Sequence, residues 1–331
     1  MPQQLTMRAA LLETPGAPFR IATVARPAAG PGEALVRIAA SGVNPLDLKI
    51  HAGAAEHARV RLPAILGLDL AGVVVAVGPG VTHLRPGDEV YALAGGVGGH
   101  QGTLADYAAV DVDLLAIKPA HFSMREAAAT PLVFITAWEG LVDRARVQAG
   151  QTVFVIGGAG GVGQMAIQIA TAFGAQVFAS GSASSRESIE RLGAGFVDRV
   201  TAVAEIVAKA TAGRGFDVVY DTAGALDDAF PAVRRFGHVV SSLGWGKHAL
   251  APLSFRAASY SGVFTLLPLL TGEGRAHHGE ILSEATRLAE AGKLTPNLGP
   301  SRFTLETACD AYRAMKSGGG RFVIDIAPDL N

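Results

Sequence analysis

Thr152-Val153-Phe154-Val155-Ile156 runs directly into Gly157-Gly158-Ala159-Gly160-Gly161-Val162-Gly163. The first five residues are a short, largely apolar run, the pattern of a strand buried on both faces of a parallel sheet. Val162, Met165, Ile169 and Phe173 then recur at helical spacing, and Gly174 marks the end of the helix. Between strand and helix, Gly158, Gly160 and Gly163 spell G-x-G-x-x-G. In that context the three glycines serve, in turn, a tight turn, a close approach of backbone to a pyrophosphate, and close packing of helix on strand. Gly161 and Val162 open the helix, whose free N–H groups and positive dipole end suit an anion. The stretch predicts a dinucleotide-binding unit.

Outward from it the alternation continues. Residues 176–179, 216–220 and 238–242 read as strands, and 203–212 and 226–236 as helices. Ser184-Ser185-Arg186-Glu187 fits a capping box opening a further helix, closed by Gly193. Strand and helix alternating at this period predict a doubly wound parallel sheet. Before about residue 122 the texture differs, with short strands punctuated by turns. Residues 33–41 follow Gly30-Pro31-Gly32, residues 70–77 end in Gly78-Pro79-Gly80, and Arg85-Pro86-Gly87-Asp88 leads into 89–93. That is the pattern of a small barrel-like β domain. After about Thr271 come helices at 279–291 and 304–315 and a terminal strand at 321–326, free to return to the first domain.

The chain has 331 residues, 28 Lys+Arg, 29 Asp+Glu and 41 glycines. At roughly 150 residues per domain this length suggests two domains. A formal net charge of -1 gives no electrostatic reason for a nucleic-acid or membrane-surface partner. One cysteine, Cys309, excludes an intrachain disulfide and a Cys-rich zinc site. Residues 1–12 lack the apolar core of a signal peptide, and no uncharged apolar run is long enough to span a membrane. A cytoplasmic protein is expected.

NAD binders place an acidic residue about 20 residues beyond the fingerprint to bond the ribose 2′-OH. Here no acid occurs between Arg144 and Arg186. Ser180 and Ser182 end the second strand, with Arg186 beyond them and Arg199 after the next short strand. Hydroxyls and cations suit a 2′-phosphate, so NADPH is the expected cofactor.

Together, Gly42-Val43-Asn44-Pro45-Leu46-Asp47, Gly67-Leu68-Asp69-Leu70-Ala71-Gly72, Pro86-Gly87-Asp88-Glu89-Val90-Tyr91, Thr136-Ala137-Trp138, the glycine fingerprint and Asp221-Thr222-Ala223-Gly224 resemble one family. The chain is similar to the medium-chain dehydrogenase/reductase superfamily and, within it, to the zinc-independent quinone oxidoreductase group. The resemblance implies an α/β fold. A GroES-like β-barrel catalytic domain would use residues 1–125 and 272–331, around a Rossmann cofactor domain at 126–271. It also implies homodimers or tetramers formed through the cofactor domains. Zinc members carry Cys where this chain has Asn44, and His-Glu where it has Leu68-Asp69; leucine cannot ligate zinc and asparagine does so poorly.

Without zinc as Lewis acid, the expected reaction is hydride transfer from NADPH to a quinone or an α,β-unsaturated carbonyl. The alternatives are an enone or enal double-bond reductase and a non-catalytic NADPH-binding protein. Asn44 is the candidate donor at the reacting end, and Asp47 a residue that orients it. Resemblance puts Thr136 near the nicotinamide. The carboxyl ends of the parallel strands add Thr222, Leu243 and Gly244, with Trp245 as a pocket wall or core residue. The glycine-rich loop 94–102 is expected to be mobile or close to ligand, and His277-His278 with Glu280 to be a solvated helix start.

Overall fold

The computed structural model describes residues 5–318 and 320–330. The chain divides into two units, one built from the residues up to Leu132 and from Leu266 onward, the other from Val133 to Thr265.

The first unit opens with β1 (Thr6–Leu12), β2 (Arg20–Ala25) and β3 (Glu33–Val43), then α1 (Pro45–His51). It continues through β4 (Ala64–Ile65), β5 (Asp69–Val77), β6 (Glu89–Leu93), β7 (Tyr107–Asp111), β8 (Ala116–Ile117) and α2 (Met124–Ala128). Helix α3 (Pro131–Trp138) carries the chain into the second unit. There β9 (Thr152–Ile156), α4 (Gly161–Ala172), β10 (Gln176–Gly181), α5 (Arg186–Arg191), β11 (Gly195–Asp198) and α6 (Val203–Thr211) follow. Next come β12 (Phe216–Asp221), α7 (Leu226–Ala232), β13 (Val233–Ser241), α8 (Ala251–Ser254) and β14 (Ser259–Gly262). The return consists of α9 (Leu267–Thr271), α10 (Arg275–Glu290), β15 (Phe303–Thr304), α11 (Ala308–Lys316) and β16 (Phe322–Asp325).

In the first unit one sheet runs β15-β16-β3-β5-β6-β8, with β7 also paired to β3, and a smaller one runs β2-β1-β4. Terminal strand β16 lies antiparallel to β3, placing Phe322 opposite Val43. The two ends of the chain thus share one sheet, and Arg321 arrives beside Asn44.

The second unit holds the order β11-β10-β9-β12-β13-β14, every pair parallel. The turn after β9 therefore opens at the carboxyl edge, where doubly wound sheets bind ligands. Phe154 and Phe216 stack at 4.9 Å, and Val219, Leu226, Phe230 and Val239 close the core around them. Burying each of these large side chains contributes roughly 1.5–3 kcal/mol.

Three local expectations change. The helix foreseen at 226–236 ends at Ala232, because β-branched Val233 pairs with Phe216 in the sheet and Pro231 weakens the helical turn. The capping box at Ser184 does not form: Ser185 caps α5 without a side-chain bond, and its hydroxyl donates to the Ser182 carbonyl at 2.7 Å. Helix α10 starts at Arg275, one turn before the foreseen start, so His277 and His278 lie inside it.

Candidate functional site

The fingerprint turn is held from three strands. Gly157, with φ +89°, makes the tight turn, where a side chain would be strained. This corrects the assignment of the turn to Gly158. Gly158 instead lies against Ala179, where an added Cβ would stand 2.6 Å from that methyl. Gly163 lets α4 sit on the turn, since a Cβ there would overlap the Gly157 carbonyl. Gly160 is different. It is the N-cap of α4 in extended backbone, and a Cβ there would meet nothing closer than the Gly157 oxygen at 3.4 Å. Protein packing does not demand glycine at 160. Its bare face fits a pyrophosphate beside the N–H groups of Gly161, Val162 and Gly163.

The braces come from residues foreseen as cofactor contacts. The Gly157 N–H donates to the Ser180 hydroxyl at 3.1 Å, and the Thr222 hydroxyl donates to the Ile156 carbonyl at 2.8 Å. Both hydroxyls hold the turn. Sequence reading missed the organiser of this edge, Asp221. It is fully buried, and its Oδ1 accepts from the N–H groups of Ala223 (3.0 Å) and Ala225 (2.9 Å). Its Oδ2 accepts from Ser241 Oγ at 2.8 Å, and that oxygen in turn accepts the Leu243 N–H at 3.0 Å. One carboxylate thus fixes the loops after β12 and β13, including Leu243 and Gly244. An acid closing the apolar run of β12 was the signal for it.

At the tip of β10, Ser182 Oγ lies 3.0 Å from Ser184 Oγ. Arg186 opens α5 with its guanidinium 4.1 Å over the Phe196 ring, and it pairs loosely with Glu190 at 3.3 Å. Arg199 follows β11, exposed, with its N–H donating to the Gly181 carbonyl. Ser182, Arg186 and Arg199 therefore surround the β10 tip, while Ser180 faces the turn. Thr136 is buried, its hydroxyl 3.0 Å from that of Thr265, and its carbonyl accepts from Tyr220 Oη at 2.7 Å. Trp245 is exposed, so it is not a core residue.

In the first unit, Asn44 caps α1 and Asp47 Oδ2 accepts its N–H at 2.8 Å. The Asn44 side-chain amide donates to Asp69 Oδ2 at 2.9 Å, and its Oδ1 faces an Arg321 N–H at 3.5 Å. Asp69 Oδ1 accepts the Leu132 N–H at 3.1 Å. Asn44, Asp47 and Asp69 are essentially inaccessible, with exposures of 0%, 1% and 0%. The direct contact expected between Asn44 and a reacting oxygen has no open face here; the amide positions Asp69 and α1. Burial pushes the Asp47 carboxyl up to about 8 and the Asp69 carboxyl up to about 7. Two carboxyls against one guanidinium cannot both ionise cheaply, so the cluster retains a proton near neutral pH.

The zinc-ligand positions of the resemblance are thus filled by an amide, a leucine side chain that is fully buried, and an acid facing Arg321. A cation already stands there, and this donor set does not suit zinc. Among the described residues no group of three His, Cys, Asp or Glu side chains could hold a metal ion. His277 pairs with Glu280 at 3.1 Å, and His278 is buried, not solvated as foreseen.

Loop 94–102, expected to be mobile or close to a ligand, is packed on backbone over most of its length. A Cβ on Gly95, Gly96 or Gly102 would overlap the carbonyls of Gln101, Gly67 or Leu66. His100 Nε2 meets Arg275 at 2.9 Å and Gln101 donates to the Tyr107 carbonyl at 2.7 Å. Only its tip, Gly98 and Gly99, lines a cavity of about 840 Å³, with Ile50, Val60, Leu62 and Leu270 among its walls. The lone Cys309 accepts the Phe19 N–H at 3.4 Å.

Residues 30–120 match the family described as "Alcohol dehydrogenase GroES-like domain", and residues 161–267 match "Zinc-binding dehydrogenase". The chain is 36% identical over 308 residues to a 2-methylene-furan-3-one reductase of Solanum lycopersicum, covering 89% of this chain and 72% of that one. It is 33% identical over 305 residues to an NADPH-dependent alkenal/one oxidoreductase of Arabidopsis thaliana, again covering 89% and 72%. The crystal structure of an alcohol dehydrogenase superfamily protein from Novosphingobium aromaticivorans superposes with a TM-score of 0.96 at 56% identity, covering 97% of this chain and 100% of that one. The CurK enoyl reductase structure superposes at 0.84 with 28% identity, covering 98% of this chain and 100% of that one.

Proposed function

From the premise that the chain is an oxidoreductase belonging to the medium-chain dehydrogenase/reductase superfamily, we propose that it is a zinc-independent, NADPH-dependent reductase of α,β-unsaturated carbonyls. The observation that carries this reading is the closed Asn44–Asp69–Arg321 cluster at the zinc position, which leaves no Lewis acid to activate an alcohol. The reductase and alkenal/one oxidoreductase names of the two relatives favour an enal or enone over the quinone foreseen from sequence.

When bound, NADPH would supply a hydride for the electron-poor β-carbon, with the proton for the α-carbon of the resulting enolate coming from solvent. The protein holds and orients. The N–H groups at the start of α4 take the pyrophosphate, on a turn fixed by Ser180, Thr222 and Asp221. Ser182, Arg186 and Arg199 take the 2′-phosphate, since β10 itself does not end in the acidic residue that would repel it. Asn44 and Asp47 act as positioning residues through the cap of α1. The cavity of about 840 Å³ in the first unit, walled by Ile50, Val60, Leu62 and Leu270 beside Glu56, Arg59 and Arg61, is of the size that takes a small acceptor.

Edge strand β14, with Tyr260 exposed, offers unpaired backbone to a second copy, which supports a homodimer through the cofactor units as part of the proposal. No described helix is long and apolar enough to cross a membrane. A cytoplasmic location is part of the proposal. The test is NADPH oxidation with matched enal, enone and quinone panels, and with chelator present. Turnover of enals or enones unaffected by chelator is expected; turnover restored only by zinc overturns the reading.

A further inference from the structure

The amino edge of the parallel sheet carries a second feature, remote from the fingerprint. Phe216 pairs with Val233 and Val218 with His238, so two steps along β12 face five along β13. Residues 234–237, Arg-Arg-Phe-Gly, stand against the single residue Asp217, an excess of three that is thrown out of the ladder as a bulge. Such bulges re-aim side chains at sheet ends. Phe236 has φ +59° and Ala257 φ +46°, strained values for residues with a Cβ, and the Phe236 N–H is tied to the Arg256 carbonyl at 2.9 Å.

The bulge walls a cavity of about 610 Å³, lined also by Arg214, Gly215, Phe255 and Arg256. Four arginines are among its lining residues: Arg214, Arg234, Arg235 and Arg256. One carboxylate, Asp217, answers them and is held by Arg234 Nε at 2.5 Å. Arg256 is fixed by the carbonyls of Pro252 (3.0 Å) and Pro231 (3.2 Å), and Arg214 Nε touches the Thr211 carbonyl at 3.4 Å. Capping helix ends accounts for Arg214 and Arg256. It does not account for Arg235, whose exposed side chain has no hydrogen-bond or ion-pair partner among the described residues. Phe255, 84% exposed, adds a bare aromatic face at the rim. This edge lies about five residues of strand, roughly 16 Å, from the fingerprint edge.

We propose that this pocket is a binding site for a polyphosphate group, separate from the cofactor site. Planar guanidiniums held in a concavity by backbone carbonyls match phosphate oxygens in pairs. A formal excess of three positive charges in a chain of net charge -1 calls for a ligand with several negative ones. The polyphosphate could come free or on a nucleoside, whose base would lie against Phe255.

The experiment is calorimetric titration of the full chain, saturated with NADPH so that the fingerprint is filled, with inorganic tripolyphosphate and, separately, with ATP. One saturable site per chain is expected for tripolyphosphate, weakened by added salt. Arg214→Gln with Arg235→Gln should weaken it about tenfold or more, with the melting temperature lowered only slightly by loss of the Arg214 cap and the NADPH Michaelis constant unchanged. Tighter binding of ATP, lost in Phe255→Ala, identifies a nucleotide as the source; equal binding identifies the free polyphosphate. No binding of either up to about 10 mM, or equal binding by the double variant, overturns the proposal. Neither outcome bears on reductase activity, which the NADPH assay reads separately.

Discussion

Asn44 donates its side-chain amide to the buried Asp69 carboxyl at 2.9 Å, across 25 residues of chain. The bond closes a cluster in which Asp47 and Arg321 also take part, each with one buried polar atom, Asp47 Oδ1 and Arg321 Nε, that has no hydrogen-bond partner among the described residues. The cluster is a cost to the fold when fully ionised, and that cost is measurable.

The Asp47 carboxyl rises from an ordinary 3.8 to about 8 in the folded protein. A group raised on folding contributes stability that is fully present below its unfolded value and is lost as pH climbs through the folded one. Stability should therefore decline between about pH 4 and pH 8, at up to about 1.4 kcal/mol per pH unit. Asp47→Asn keeps an acceptor for the Asn44 N–H and removes the titration. Thermal melts should show a flatter pH profile for the variant, and identical slopes would refute the buried titration.

Gly160 and Gly163 should separate. Gly163→Ala drives a methyl into the Gly157 carbonyl, and overpacking of this kind costs on the order of 1–3 kcal/mol. Gly160→Ala has room in the protein but fills the face assigned to pyrophosphate. We expect a lowered melting temperature for the first. For the second we expect an unchanged melting temperature with a raised NADPH dissociation constant.

Asp221→Ala removes the acceptor for two backbone N–H groups and the Ser241 hydroxyl. Buried groups left unpaired cost about 1–3 kcal/mol each. The variant should lose several kcal/mol in denaturant unfolding and bind NADPH poorly; Asp221→Asn should recover part of both.

Arg186→Ala with Arg199→Ala should raise the NADPH Michaelis constant about tenfold, as expected for a lost charge-assisted pair, and leave that for NADH unchanged. Parallel changes for both cofactors would remove these arginines from the 2′-phosphate site.

Much of the architecture was legible because the patterns were local. The strands 89–93 and 152–156 are where the Arg85-Pro86-Gly87-Asp88 turn and the apolar run put them. Glycine spacing located the fingerprint, but not which glycine takes positive φ, since a turn's dihedrals do not follow from spacing. The helix at 226–236 overran because only pairing with Phe216 reveals that Val233 belongs to the sheet. Asp69 and Arg321 stood in view as a motif residue and the start of a strand. Their meeting with Asn44 depends on β16 returning to β3, a contact across 277 residues that no local pattern encodes. The same ambiguity made loop 94–102 look mobile: glycines packed on backbone and glycines in open loops read alike.

The proposed reaction is reduction of an activated double bond by NADPH without zinc. Incubating the purified, chelator-treated protein with NADPH and a 2-alkenal, and identifying the product, tests it most directly. Stoichiometric NADPH oxidation yielding the saturated aldehyde is the result expected. Tight NADPH binding with no turnover of enals, enones or quinones would contradict it and leave a non-catalytic NADPH-binding protein.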